Sequence, residues 1–76
     1  MRVVLISWLD SNVTHGWDLK DDVVNDVAHC ETAGIVYAED EDKITVVLAE
    51  SDCDSTLERL TIPKGCIKSI RELRVR

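Results

Sequence analysis

The chain has 76 residues, with 9 Lys and Arg against 15 Asp and Glu, giving a formal charge of −6. A chain this short supports one domain, residues 1–76. It buries only about 60 % of its unfolded surface and gains from pairing with further copies, so a homo-oligomer is expected. So small a core leaves little room for a preorganised pocket, which argues against an enzyme, and the acidic balance argues against direct binding to DNA or anionic membrane.

Val3 to Leu9 is rich in β-branched residues and ends at the turn-forming Asp10-Ser11-Asn12. It reads as a strand apolar on both faces, hence central. After the loop to Gly16, Asp18 reads as a helix N-cap, and Leu19, Val23 and Val27 fall on one helical face. A short helix over about 18–26 is expected, although its valines weaken it. His29 to Ala38 alternates as a second strand, in which Gly34 marks a bend or bulge. Glu39-Asp40-Glu41-Asp42 forms a solvated hairpin tip, Ile44 to Ala49 the returning strand, and residues 50–55 a second acidic loop. Leu57 to Ile62 is a fourth strand, closed by Pro63-Lys64-Gly65. Ile67, Ile70 and Leu73 follow at a spacing of three, which fits a 3₁₀ turn leading into a bulged strand.

These elements predict a mostly β fold, a small five-stranded SH3-like barrel with one short helix. The alternative is an open α+β sheet with the helix packed on one face. Without Phe, Trp8 and Tyr37 are expected to supply the bulk of the core.

The charge is unevenly spread. Residues 10–58 carry 14 acids against Lys20 and Lys43, a net −12, whereas residues 59–76 carry six bases against Glu72, a net +5. An anion is therefore admissible near the C-terminal stretch, or the two halves neutralise each other. Cys30, Cys53 and Cys66 are odd in number and widely spaced. They fit neither a disulfide framework nor a zinc site, and each is expected as a small buried hydrophobe in a reducing cytosol. The first apolar run is too short for a signal-peptide core and no stretch has the length of a membrane span, so a soluble cytoplasmic protein without membrane contact is expected. No nucleophile elbow, calcium loop or glycine-rich phosphate loop is present, and no cofactor is implied.

The candidate binding residues lie in two places. Trp8 and Trp17 bracket Asp10, Ser11 and Asn12, where an indole suits stacking and the small polar groups suit orientation of a ligand. Trp8 continues an apolar strand and reads as core; for Trp17, core and contact surface are both open. Tyr37 offers a second ring, and Lys64 and Arg71 offer charge for phosphate, although turn caps and solvated lysines are the commoner roles.

The combination Trp8-Leu9-Asp10-Ser11, Gly16-Trp17, Cys30 ahead of Gly34-Ile35-Val36, Glu39-Asp40 with Asp42, and Ile62-Pro63-Lys64-Gly65-Cys66-Ile67 resembles a widespread family of small phage and prophage proteins. The resemblance covers nearly the whole chain. It implies a viral origin and the cytoplasm of an infected bacterial host, and an accessory role rather than an activity. In that setting three functions are weighed. The first is a counter-defence sponge that sequesters a cyclic or ADP-ribose-type nucleotide signal in pockets between subunits, with Trp17 or Tyr37 against the base and Lys64, Arg71 or Arg59 against phosphate. The second is an acidic inhibitor of a host or defence protein, acting as a DNA mimic or host-takeover adaptor through the tips at 39–42 and 50–54. The third is a virion assembly component.

Overall fold

The computed structural model describes residues 1–12 and 15–74. Five strands form one antiparallel sheet: β1 (Val3–Asp10), β2 (Ala28–Glu39), β3 (Lys43–Glu50), β4 (Thr56–Pro63) and β5 (Ile67–Leu73), in the order β4-β3-β2-β1-β5. β1 is an interior strand, as its two apolar faces require, although β2 holds the centre: β1 pairs with β2 from Val3↔Ile35 to Asp10↔Ala28 and with β5 from Val3↔Leu73 to Trp8↔Ile67. Alternation sends Val4, Ile6 and Trp8 to the core and Leu5, Ser7 and Leu9 to the other face.

The core holds Val4, Ile6, Ile44, Val46 and Ile62, with Trp8, Val36, Ile67 and Ile70 packed against it. Ile67 and Ile70 are three apart, which would put them on opposite faces of a regular strand. A register shift opposite Ser7/Trp8 resolves this, so Ile70 faces Ile6 and Ile67 faces Trp8. The expected 3₁₀ turn is present at Lys64–Cys66. Trp8 belongs to the core as read, and its indole Nε1–H donates to Thr32 Oγ1 at 3.0 Å, satisfying the polar end of a half-buried ring.

Gly34 meets a tighter constraint than a bend. A Cβ there would lie 3.0 Å from the Val46 Cβ and 3.2 Å from the Val47 carbonyl oxygen. The break in ladder register falls further on, between Val36 and Ala38. Beyond Ile35↔Val47 the first half of β2 leaves β3, whereas β3 and β4 stay paired out to Glu50↔Thr56. A hairpin therefore projects past the body of the sheet.

This divergence corrects the expectation of a barrel. The three-residue link Lys64–Cys66 joins strands at opposite edges of the sheet, so the sheet must curl to bring those edges near each other at one end. Yet β4 follows β3 outward, and no ladder joins it to β5. The sheet is curled and open.

Three further expectations are corrected. The helix over 18–26 reduces to a single 3₁₀ turn, Lys20–Asp22, whose N-cap position is Leu19 with no side-chain cap. Leu19, Val23 and Val24 are exposed, so no apolar face packs on the sheet, and a short valine-rich segment gains little helical stability without such packing. Of the open α+β alternative, the open sheet is observed and the packed helix is not. Tyr37 is 61 % exposed, beside the break in β2 register, and the core is built from Ile and Val instead. Cys53 is exposed in the β3–β4 turn, whereas Cys30 and Cys66 are half-buried, and all three are free thiols. No helix among the described residues is long and apolar enough to cross a membrane.

Ion pairs fasten the ends of the strands. Arg2 reaches Glu39 at 2.7 Å and Glu72 at 2.6 Å, and Lys64 reaches Glu39 at 2.7 Å. Lys43 pairs with Asp40 at 2.8 Å. The hairpin tip is thus partly neutralised, not four bare charges in water. The Arg2 guanidinium and then Lys64 hold the Glu39 carboxyl below its ordinary range. Asp40 is lowered to about 2, by Lys43 first and then by the N–H groups of Asp42 and Lys43 that its Oδ1 accepts. Both carboxyls titrate lower folded than unfolded, so their stabilisation is complete above the unfolded value near pH 4 and is lost as pH falls toward 2. Urea midpoints are accordingly expected to be flat from neutral pH down to about 5 and to fall below about 4. Asp40→Asn should shorten that fall, and an unchanged profile in the variant would remove Asp40 from the account.

Candidate ligand-binding surface

The sequence candidates are not gathered into one site. Asp10 closes β1 and its Oδ1 accepts the Ser11 N–H at 2.8 Å, the ordinary duty of a turn cap. Ser11 and Asn12 are exposed at the start of the loop between β1 and β2. Val13 and Thr14, in the same loop, lie outside the described residues. Trp17, further along it, is fully exposed and touches no other part of the chain closely. Tyr37 lines a hollow of about 270 Å³ with Glu50, Ser51, Asp54, Ser55 and Thr56, where carboxylates oppose an anion. Lys64 is held by Glu39 and is not free to meet phosphate. Arg71 stands exposed on β5 opposite Leu5, on the face away from the core.

The end of the sheet where this loop departs is chemically richer. Ser7, Trp8, His29, Cys30, Glu31 and Lys68 line a hollow of about 270 Å³. Asp10 lies opposite Ala28 in the β1–β2 ladder, which places Asp10 and Ser11 at the same end. His29 Nε2 is 3.9 Å from Asp26 Oδ1, and the imidazole is well exposed. A roomier hollow of about 350 Å³ lies where β2 parts from the β3–β4 hairpin, between Thr32 and Ala33 on one side and Leu48, Arg59 and Leu60 on the other. Its volume reaches the range of small-molecule sites, and its walls are mainly apolar with one guanidinium. Glu58 adopts φ 52° on its margin, which bends β4 at the point where Arg59 is presented.

Sequence reasoning did not find either hollow as a site. Lys68 and His29 carry no motif, and the parting of β2 from β3 leaves no mark in an alternating pattern. The one available signal was Gly34 followed by a long valine strand, which indicates close approach without saying what opens beside it.

Charge on this surface is sharply sorted. Among the described residues, Arg2, Lys43 and Lys64 are engaged in ion pairs, whereas Lys20, Arg59, Lys68, Arg71 and Arg74 have no carboxylate within salt-bridge distance. Apart from Lys20 on the β1–β2 connection, these unengaged cations concentrate on β4, β5 and the residue after it. No cluster of three or more His, Cys, Asp or Glu side chains placed to hold a metal ion occurs among the described residues. The class defined so far is a small, mostly β protein built on one open antiparallel sheet. No protein-family model, curated protein or solved structure matches the chain.

Proposed function

We propose that the protein is a non-catalytic binding protein of phage type that sequesters a small anionic ligand, a cyclic or ADP-ribose-type nucleotide signal, in the cytoplasm of an infected bacterium. The observation that carries this reading is the separation of two exposed halves of an anion site. A bare indole, Trp17, stands on the β1–β2 loop, and unengaged cations, Lys68, Arg71 and Arg74, stand on and just after β5. A nucleobase stacks on an exposed indole for about 1–3 kcal/mol, and guanidinium groups match phosphate oxygens in geometry and charge. Neither half is sufficient alone, so the ligand is held where the two halves meet across copies. The phage and counter-defence setting comes from the resemblance of the W-L-D-S…G-W…I-P-K-G-C-I pattern.

Titration calorimetry against cyclic dinucleotides and cyclic ADP-ribose products tests the proposal. Heat is expected from at least one member of the panel, with affinity lowered about tenfold or more in Arg71→Ala and in Trp17→Ala. No heat from any of them overturns the reading.

A second reading rests on a different surface. Glu50, Asp52 and Asp54 flank the projecting β3–β4 turn, are exposed, and have no ion-pair partner among the described residues. Such a tip suits the basic channel of a nucleic-acid-binding host or defence protein, with strong salt dependence. Retention of a basic host protein at low salt, lost in Asp52→Asn/Asp54→Asn, is the result that would favour it over ligand capture.

A further inference from the structure

The single chain exposes far more surface than its mass warrants. Its accessible area is 6526 Å², whereas a compact monomer of 8.6 kDa exposes about 4,700 Å². Its radius of gyration is 16.0 Å against about 11 Å for a compact chain of this length. The excess of about 1,800 Å² per chain exceeds the roughly 800 Å² per partner of a standard interface and falls in the range of obligate dimers.

Much of the excess is a single arm. Residues 15–27 run between β1 and β2 with every residue exposed, including Trp17, Leu19, Val23, Val24 and Val27. A connection this long without regular structure is uncommon unless it has a task. The backbone on either side of the Lys20–Asp22 turn is extended, at φ −67°, ψ 142° for Leu19 and φ −71°, ψ 125° for Val23. The arm carries Asp18, Asp21, Asp22 and Asp26 against Lys20, a net −3.

Two sheet edges are open to receive such a segment. β4 is blunted, because Pro63 offers no N–H and Glu58 at φ 52° interrupts the line of donors. β5 has no proline, no glycine and no positive φ, and with Arg74 it carries Lys68 and Arg71 against Glu72, a net +2. Two β5 strands would repel each other, whereas an acidic apolar arm is attracted.

We infer that the protein assembles as a symmetric dimer in which the acidic arm of each copy lies along the free edge of β5 of the other. The exchange is reciprocal, so two identical contacts close the assembly, and the β4 edge that stays free is the blunted one. Carboxylates at Asp21 and Asp22 meet Lys68 and Arg71, and Val23, Val24 and Val27 lose their exposure. The occupant is thus a second copy of this chain. The inference shares Lys68 and Arg71 with the proposed ligand site, where phosphate competes with Asp21 and Asp22 for them, and the two readings are told apart because assembly is measured with no ligand present.

Sedimentation equilibrium of the purified full chain provides the test. The wild type is expected at twice the chain mass. Lys68→Glu/Arg71→Glu should raise the dimer dissociation constant about tenfold or more, and adding Asp21→Lys/Asp22→Lys should restore it. Circular dichroism distinguishes loss of pairing from loss of fold. Should the Lys68→Glu/Arg71→Glu protein unfold, Val23→Asp/Val24→Asp in the exposed arm tests the same contact and should likewise give monomers. A wild-type monomer at every concentration, a dimer of unchanged strength in Lys68→Glu/Arg71→Glu, or no recovery when Asp21→Lys/Asp22→Lys is added to a folded Lys68→Glu/Arg71→Glu protein, overturns the inference.

Discussion

Ile6→Ala is expected to lower the unfolding free energy by about 2–5 kcal/mol, a large part of the roughly 4–11 kcal/mol that a chain of this length commands. Ile6 is completely buried on the interior strand β1, opposite Thr32 on β2 and Ile70 on β5. Removing three of its carbons opens a void among Val4, Trp8 and Ile70 that no neighbouring backbone can close, because both flanking ladders fix the spacing of the strands. Urea unfolding should show a much lower midpoint with little change of slope. Trp17→Ala supplies the contrast, since that side chain touches nothing in the single chain and its loss should leave the monomer's stability unchanged within about 0.5 kcal/mol. A small loss at Ile6 would mean that the sheet yields to refill the space, and that the core is looser than its burial indicates.

Gly34→Val is expected to abolish the native fold, and Gly34→Ala to cost about 1–3 kcal/mol through overpacking. The new methyl would approach the Val46 Cβ to 3.0 Å and the Val47 carbonyl to 3.2 Å, and the carbonyl belongs to backbone held in the β3–β4 ladder. Val46 Cγ2, at 3.3 Å, is the one listener that a second mutation can remove. Gly34→Ala/Val46→Ala should therefore recover part of the clash while opening a void of its own, giving a combined loss smaller than the sum of the two single losses. Additive losses in the double variant would show that the two side chains do not meet.

Strand content was readable because each strand carries its own evidence. β1 announces its interior position by apolar residues on both faces, and Pro63-Lys64-Gly65 announces the end of β4. The spacing of Ile67 and Ile70 even foretold the register shift on β5. What was not readable depends on distant packing. The expected helix needed a surface for Leu19 and Val23 to cover, and the single chain provides none. Closure of a barrel needed β4 to turn toward β5, but β4 is committed to β3 along its length.

The candidate site was legible in part. Arg71 is exposed, Trp17 takes the surface place of the two that the sequence leaves open, Asp10 serves as a turn cap, and Lys64 is committed to a carboxylate. Ion pairing of Lys64 with Glu39 joins residues 25 positions apart, and only the fold reveals it. Lys68, by contrast, acquires its interest from the neighbours that β1 and β2 bring to it, Trp8 and His29.

The pairing of β1 with β5 bears on how the chain acquires its structure during synthesis. β1 is made before the other four strands, yet one of its two flanks stays vacant until β5, the last of the five, has left the ribosome. The most apolar strand thus spends translation with a row of unclaimed amides. Docking of β5 across so long a sequence separation is slow relative to formation of the β3–β4 hairpin. A nascent chain arrested before Ile67 would display that row as an adhesive seam, so a translational pause or truncation in this stretch should send the protein to aggregates, and one in the β3–β4 turn would leave the outer flank of β3 unpaired as well.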